Sequence, residues 1–147
     1  MMESASAGRP AHIMGFSDAV RNVMINNYAN SDGRASRSEY WWFYLFTTIV
    51  TIITTMIDVT VFGVPFESYG PVYTLAILAM LLPSLCVAVR RLHDLGKSGW
   101  WLLIVFTIIG IIPLFIFMIM EGEEQPNQYG EVPTNTIEQS GNIHTNY

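Results

Sequence analysis

Charged residues vanish from three long stretches of this chain, and those stretches predict its architecture. There are 18 consecutive residues without Asp, Glu, Lys or Arg from Tyr40 to Ile57, 22 from Ser68 to Val89 and 23 from Ser98 to Met120. A helix rises about 1.5 Å per residue, so about 20 apolar residues cross a hydrocarbon core about 30 Å thick. The first run reaches that length by continuing past Asp58 to Val64. The pattern predicts three transmembrane helices, spanning about 40–63, 71–92 and 100–120. Burying three such helices in a soluble protein would need a polar shell that 147 residues cannot supply.

Local signals punctuate the runs. Ser36-Arg37-Ser38-Glu39 reads as a capping box that opens the first spanning helix, and Gly63 with Pro65 closes it. Pro71 suits the first turn of the second helix, Gly96 its C-terminal stop, and Ser98 or Gly99 the cap of the third. Pro83, Gly110 and Pro113 fall inside spans, where they are expected to kink a helix rather than break it. Ahead of the runs, Ile13, Phe16, Val20, Val23, Met24 and Tyr28 recur at helical spacing. They predict a short amphipathic helix that lies on the membrane surface or docks on the bundle. The expected organisation is a disordered extension over 1–13, a membrane domain over 14–124 and a polar, flexible tail over 125–147. The fold class is all-α: an integral membrane protein of three transmembrane helices plus the amphipathic N-terminal helix.

Composition agrees, at 51% hydrophobic and 13% charged residues. Cys86 is the single cysteine, which excludes an internal disulfide and a thiol-based metal site within one chain. No basic region leads straight into an apolar stretch near the start, so no cleavable signal peptide is expected. The net charge of −5 is unevenly spread, since six of the seven basic residues fall between Arg21 and Lys97. Arg34 and Arg37 precede the first span, and Arg90, Arg91 and Lys97 separate the second from the third. By the positive-inside rule the N-terminus and the second connection are cytoplasmic, with residues 65–70 and 121–147 outside. Tyr40, Trp41, Trp42, Trp100 and Trp101 fall at one level, as an interfacial aromatic belt does. Nothing reads as a nucleic-acid footprint.

The candidate chemistry sits in Arg90-Arg91-Leu92-His93-Asp94-Leu95-Gly96-Lys97-Ser98-Gly99-Trp100-Trp101. Arg90 and Asp94 are four residues apart on a helix and can pair. Arg34, Arg37, Arg90, Arg91, Lys97 and Ser98 form a candidate pocket for a lipid phosphate. Plain topology and snorkelling anchorage explain the same residues. A catalytic reading would use His93 as base with Asp94 or Glu39 orienting it, but no Ser/His/Asp spacing, metal-ligand set or glycine-rich phosphate loop supports it. No metal or cofactor is expected. Thr47, Thr51, Thr54 and Thr55 make a polar stripe on the first helix, read as helix–helix glue. Asp58 is the charge nearest a span centre, and it is expected to reach the outer interface.

Three strings stand in a recognisable order. They are Gly33-Arg34-Ala35-Ser36-Arg37-Ser38-Glu39-Tyr40-Trp41-Trp42-Phe43, then the arginine string above, then Asn127-Gln128-Tyr129-Gly130-Glu131-Val132-Pro133. From Met14 to Pro133 the chain resembles the bacterial inner-membrane family called domain of unknown function 805, the YhaH-like proteins. Glu39, Trp41, His93, Asp94, Gly96, Gly99 and Trp100 carry that resemblance. It implies a multi-pass plasma-membrane protein and no assigned activity. The expected role is a small non-enzymatic interaction or accessory protein. Its cytoplasmic basic-aromatic face would contact anionic lipid head groups, a membrane-protein partner or a second copy of the chain. The alternative is a subunit of an oligomeric channel or exporter, and a membrane-surface enzyme comes third.

Overall fold

The computed structural model describes residues 14–106, 110–123, 125–130 and 132–133. The expected disordered extension over 1–13 and the tail beyond residue 133 lie outside the described residues. Every regular element among the described residues is helical: α1 (Phe16–Arg21) running into a π turn (Asn22–Asn26), α2 (Arg37–Phe62), α3 (Pro71–Asp94), a 3-10 helix (Gly99–Phe106) and α4 (Ile111–Ile119). Two of these, α2 and α3, are long and apolar enough to cross a membrane. With 26 and 24 residues they measure about 39 and about 36 Å.

The caps form largely where the sequence put them. Ser36 Oγ accepts the Glu39 N–H at 3.2 Å and opens α2. The return half of the capping box does not form, because the Glu39 carboxylate is engaged by Arg90 and Asn22 instead. Gly63 closes α2 in the left-handed region, with φ 64°. At the far end of α3, Gly96 N–H reaches the His93 carbonyl and Lys97 N–H the Leu92 carbonyl, both at 3.0 Å. That is a Schellman motif, and it needs the positive φ of 70° at Gly96.

The link from α2 to α3 holds a finding that spacing did not reveal. Asp58, near the end of α2, is 2% exposed and turned to the start of α3. Its carboxylate accepts the N–H groups of Val72 at 3.0 Å and Tyr73 at 2.8 Å, so α2 supplies the N-terminal cap of α3. Gly70 makes room for it, since a Cβ there would come 2.2 Å from Asp58 Cγ. Pro83 lies inside α3 and removes the amide that would have bonded the Ala79 carbonyl. Tyr28 Oη donates to that carbonyl, so the proline is accommodated by a side chain from the N-terminal segment.

The N-terminal helix docks on the bundle. Ala19 and Val23 are fully buried, and Phe16 sits edge-on to Trp42 with ring centroids 5.8 Å apart. Val23 joins Ala35, Phe43 and Val87 in one core cluster, and Ala88, Leu92 and Met118 form a second. Both clusters lie at the end where α2 begins and α3 stops, here called the basic end. Toward the other end the helices carry exposed apolar side chains, such as Ile52 at 59% and Leu75 at 69%.

The third apolar run departs from expectation. Its described residues form a 3-10 helix and then α4, which pack on each other. The run leaves the basic end just after α3, and it also comes back there. Trp41 Nε1, one turn into α2, donates to the Met118 carbonyl at 3.1 Å, and Glu123 N–H donates to the Asp94 carbonyl at 2.7 Å. The local reason is visible at α4. Gly110 precedes it and Pro113 lies in its first turn, where a missing N–H costs nothing. These residues start a new helix rather than kink an old one. The threonine stripe also differs. The hydroxyls of Thr47, Thr51, Thr54 and Thr55 donate to carbonyls three or four residues back in α2 itself, rather than gluing it to a neighbour.

Candidate functional site

The basic end is built around buried ion pairs. Asp94, on the last turn of α3, is fully buried and receives two guanidinium groups. Arg34 Nε lies 3.0 Å from Asp94 Oδ1, and Arg91 Nη1 bonds Oδ2. Arg90 turns the other way, to Glu39 Oε1 at 2.8 Å, where Asn22 Nδ2 also donates at 2.8 Å. The expected Arg90–Asp94 pairing therefore gives way to Arg91–Asp94 and Arg90–Glu39. Tertiary partners account for it: Arg90 meets Glu39 at the start of α2, beside Asn22 of the π turn, while the Asp94 carboxylate meets Arg34 ahead of α2.

The two arginines on Asp94 also hold the chain that follows α4. Arg91 Nε donates to the Met118 carbonyl at 3.3 Å and Nη2 to the Met120 carbonyl. These carbonyls close α4, which meets a cation at its negative end. Arg34 Nη1 donates to the carbonyls of Gln125 at 2.8 Å and Gly130 at 3.3 Å, and Nη2 to that of Glu123. Asn127 Nδ2 donates to the His93 carbonyl at 2.9 Å, and Tyr129 stacks flat on the His93 ring, 3.9 Å between centroids. Val132 is 8% exposed. Residues 125–130, expected to belong to a flexible tail, are instead fastened by Arg34 and by Asn127 and Tyr129 on His93. A Cβ on Gly96 would collide with the Glu123 carboxylate at 2.5 Å. Gly99 likewise lets the chain pass Val89, where a Cβ would come to 2.9 Å.

This arrangement decides where each candidate residue lies. Arg34, Arg90 and Arg91 face carboxylates and carbonyls inside the protein, at 7%, 3% and 0% exposure. Arg37, Lys97 and Ser98 lie outside that knot. Arg37 is half exposed and 3.8 Å from Glu121, and Lys97 Nζ rests over the Trp101 and Phe117 rings at 5.1 and 4.8 Å. Ser98 Oγ accepts the Trp100 N–H at 3.3 Å, and Trp100 is 78% exposed. Neither carboxylate orients His93, whose Nδ1 lies 3.0 Å from the Gly33 carbonyl and so carries the proton when the ring is neutral. Among the described residues no three His, Cys, Asp or Glu side chains are grouped to hold a metal. One local excess of donors remains: Arg90 Nε and Nη2 are buried with no hydrogen-bond partner.

The strings that meet in this knot are those of one family of proteins. Residues 28–131 match the model described as "Protein of unknown function (DUF805)". The chain belongs to this family. Among DUF805 relatives, Inner membrane protein YhaI of Escherichia coli (strain K12) is 39% identical over 111 residues, covering 75% of this chain and 91% of the relative. Inner membrane protein YhaH of the same organism is 32% identical over 111 residues, covering 75% and 92%. No solved structure matches the chain. Family and apolar helices together make this an inner-membrane protein. Spacing alone passes over Asn22 and Glu123, and it marks Tyr28 only as an apolar helix position, not as the donor to Ala79. Asn22 offered one signal, a polar position on an amphipathic helix close to a capping box. Glu123 offered none, because its partners lie across the fold.

Proposed function

We propose that this DUF805 protein is a small plasma-membrane accessory protein. It crosses the bilayer twice, through α2 and α3, and its third apolar run enters from the cytoplasmic side and returns to it. Both termini are then cytoplasmic, and the basic end contacts anionic lipid through the residues left outside the ion-pair knot. The supporting observation is the division of the arginines: Arg34, Arg90 and Arg91 are consumed internally, whereas Arg37, Lys97 and the exposed Trp100 ring the rim. The positive-inside rule favours that end as cytoplasmic, and the acidic residues after α4 weigh little against it. A channel reading would need polar groups turned to a pathway, and the α2 threonine hydroxyls are bound within their own helix.

Two measurements test this. With Cys86 replaced by Ala, Glu67→Cys should react with an impermeant maleimide in intact cells, and Gln128→Cys only after permeabilisation. External labelling at residue 128 overturns the re-entrant topology. The purified protein should retain phosphatidylglycerol in preference to phosphatidylcholine by native mass spectrometry, and the double substitution Arg37→Gln/Lys97→Gln should remove that preference. Equal retention in the unsubstituted protein overturns the lipid reading.

A further inference from the structure

Between α2 and the returning run lies an apolar cavity of about 230 Å³, lined by Tyr40, Trp41 and Tyr44 on one wall and by Ala88, Leu114 and Met118 on others. Its mouth is open to the side, where Tyr44 is 55% exposed. A helix with its side chains is about 10–12 Å across, so a second copy cannot insert one here. The lining is too apolar for ordered water, which needs several polar partners. The space fits a stretch of a single alkyl chain.

What lies above it identifies the rest of the occupant. Arg37, Tyr40, Trp41 and Tyr44 share one face of α2, at the three- and four-residue spacing of helix neighbours. Arg37 is one turn, about 6 Å, nearer the basic end than Trp41. Its Nη1 lies 3.5 Å from the Ile119 carbonyl, next to the cavity-lining Met118. The guanidinium therefore hangs over the interfacial end of the cavity. Its carboxylate neighbour among the described residues, Glu121 at 3.8 Å, is as exposed as Arg37 itself, at 56% and 49%. Such a pair is weak, and it leaves the planar fork available to a phosphate oxygen pair.

The geometry points to a bound anionic phospholipid of the cytoplasmic leaflet, with one acyl chain in the cavity and its phosphate on Arg37. This rests on the lipid-contacting reading above and gives it a site. Trp41, on the cavity wall, supplies the readout. The full chain is reconstituted in phosphatidylcholine vesicles containing phosphatidylglycerol brominated on its acyl chains, and tryptophan quenching is followed as the brominated fraction rises. The component due to Trp41 is the difference from Trp41→Phe. That component should be quenched at about fivefold lower mole fraction by brominated phosphatidylglycerol than by brominated phosphatidylcholine, the effect of one basic residue at an anionic surface. Arg37→Gln should erase the difference, Arg37→Lys should restore part of it, and Ala88→Leu should reduce quenching by both lipids. If Ala88→Leu fails to fold, Ile111→Phe narrows the cavity from its exposed rim and should act the same way. Equal quenching by the two lipids, or a phosphatidylglycerol preference untouched by Arg37→Gln, overturns the site. In the second case whole-protein retention of phosphatidylglycerol still stands, so the broader reading survives. Loss of both overturns the two together.

Discussion

Exchanging arginine for lysine at Arg34 and at Arg90 leaves every formal charge in place, yet the two exchanges should differ sharply. Arg34 spreads its donors over Asp94 Oδ1 and the carbonyls of Glu123, Gln125 and Gly130. A lysine ammonium presents three donors from one point and cannot span those positions. It keeps Asp94 and loses at least two charge-assisted bonds, each worth about 1.5–3 kcal/mol. The low end applies, because the segment after α4 is partly open to water. The expected cost of Arg34→Lys is therefore about 3 kcal/mol. Arg90 makes one hydrogen bond, to Glu39, and buries two unpartnered nitrogens. Arg90→Lys keeps the ion pair and exchanges the three unpartnered N–H groups on Nε and Nη2 for at most two on the ammonium, each of which costs about 1–3 kcal/mol while buried. It should change stability by less than about 1 kcal/mol, in either direction. The assay is equilibrium unfolding in mixed micelles, with limited proteolysis after α4 as a local readout. Arg34→Lys should speed cleavage around Gln125–Gly130, and Arg90→Lys should not. Equal losses at both positions, or a larger loss at Arg90, would refute the assignment of Arg34 as the clasp.

Three further outcomes follow from the same contacts. Asp94→Asn strips the carboxylate from two buried guanidiniums and should destabilise the fold by about 3–5 kcal/mol in the same unfolding assay; a loss under about 1 kcal/mol would mean that the pairs are not closed in solution. Gly70→Ala drives a Cβ into Asp58 and should cost no more in an Asp58→Ala background than Asp58→Ala alone, which itself should cost about 1–2 kcal/mol; full additivity of the two would separate Gly70 from the cap. Tyr28→Phe orphans the Ala79 carbonyl opposite Pro83 and should lower stability by about 1–3 kcal/mol, an effect that vanishes in Pro83→Ala, where the helix supplies its own amide; an undiminished loss there contradicts the pairing.

How far the sequence could be read depended on the range of each interaction. Ser36, Gly63, Pro71 and Gly96 were legible because a cap is made by residues within one turn of it, and all four act as their types suggest. The existence of α2 and α3 was legible for the same reason, since length and apolarity are properties of one segment. The third run failed that logic. Apolar length reports that a segment prefers lipid, and says nothing of whether its ends come out on opposite sides. The return of the run to the basic end is made by the bonding of Trp41, Arg91 and Asp94 to Met118, Met120 and Glu123, far along the chain. Arg90 and Asp94 failed in a similar way. Their i, i+4 spacing offers a few tenths of a kcal/mol, whereas buried tertiary pairs with Glu39 and Arg34 are shielded from water and engage additional hydrogen bonds. The threonines misled because a hydroxyl in a helix has a local acceptor always within reach, three or four residues back.

The long reach of these pairs also explains why one string of residues can look like a topology signal and act as a fastener. Arg34 meets Asp94 60 residues further on and Gly130 96 residues further on. The bond to Gly130 cannot form until the chain after α4 exists and has come back to the basic end. Before then Arg34 and Arg91 have Asp94 and Arg90 has Glu39, but the carbonyls of Met118, Met120, Glu123, Gln125 and Gly130 are missing. Once those carbonyls arrive, the guanidiniums of Arg34 and Arg91 are buried and bound on both sides of Asp94. Removing one partner then leaves a buried charge uncompensated, which is far costlier than losing a surface pair. Closure therefore falls to Arg34, Arg90 and Arg91, and Arg37 and Lys97, which lie outside the knot, keep their charge at its rim.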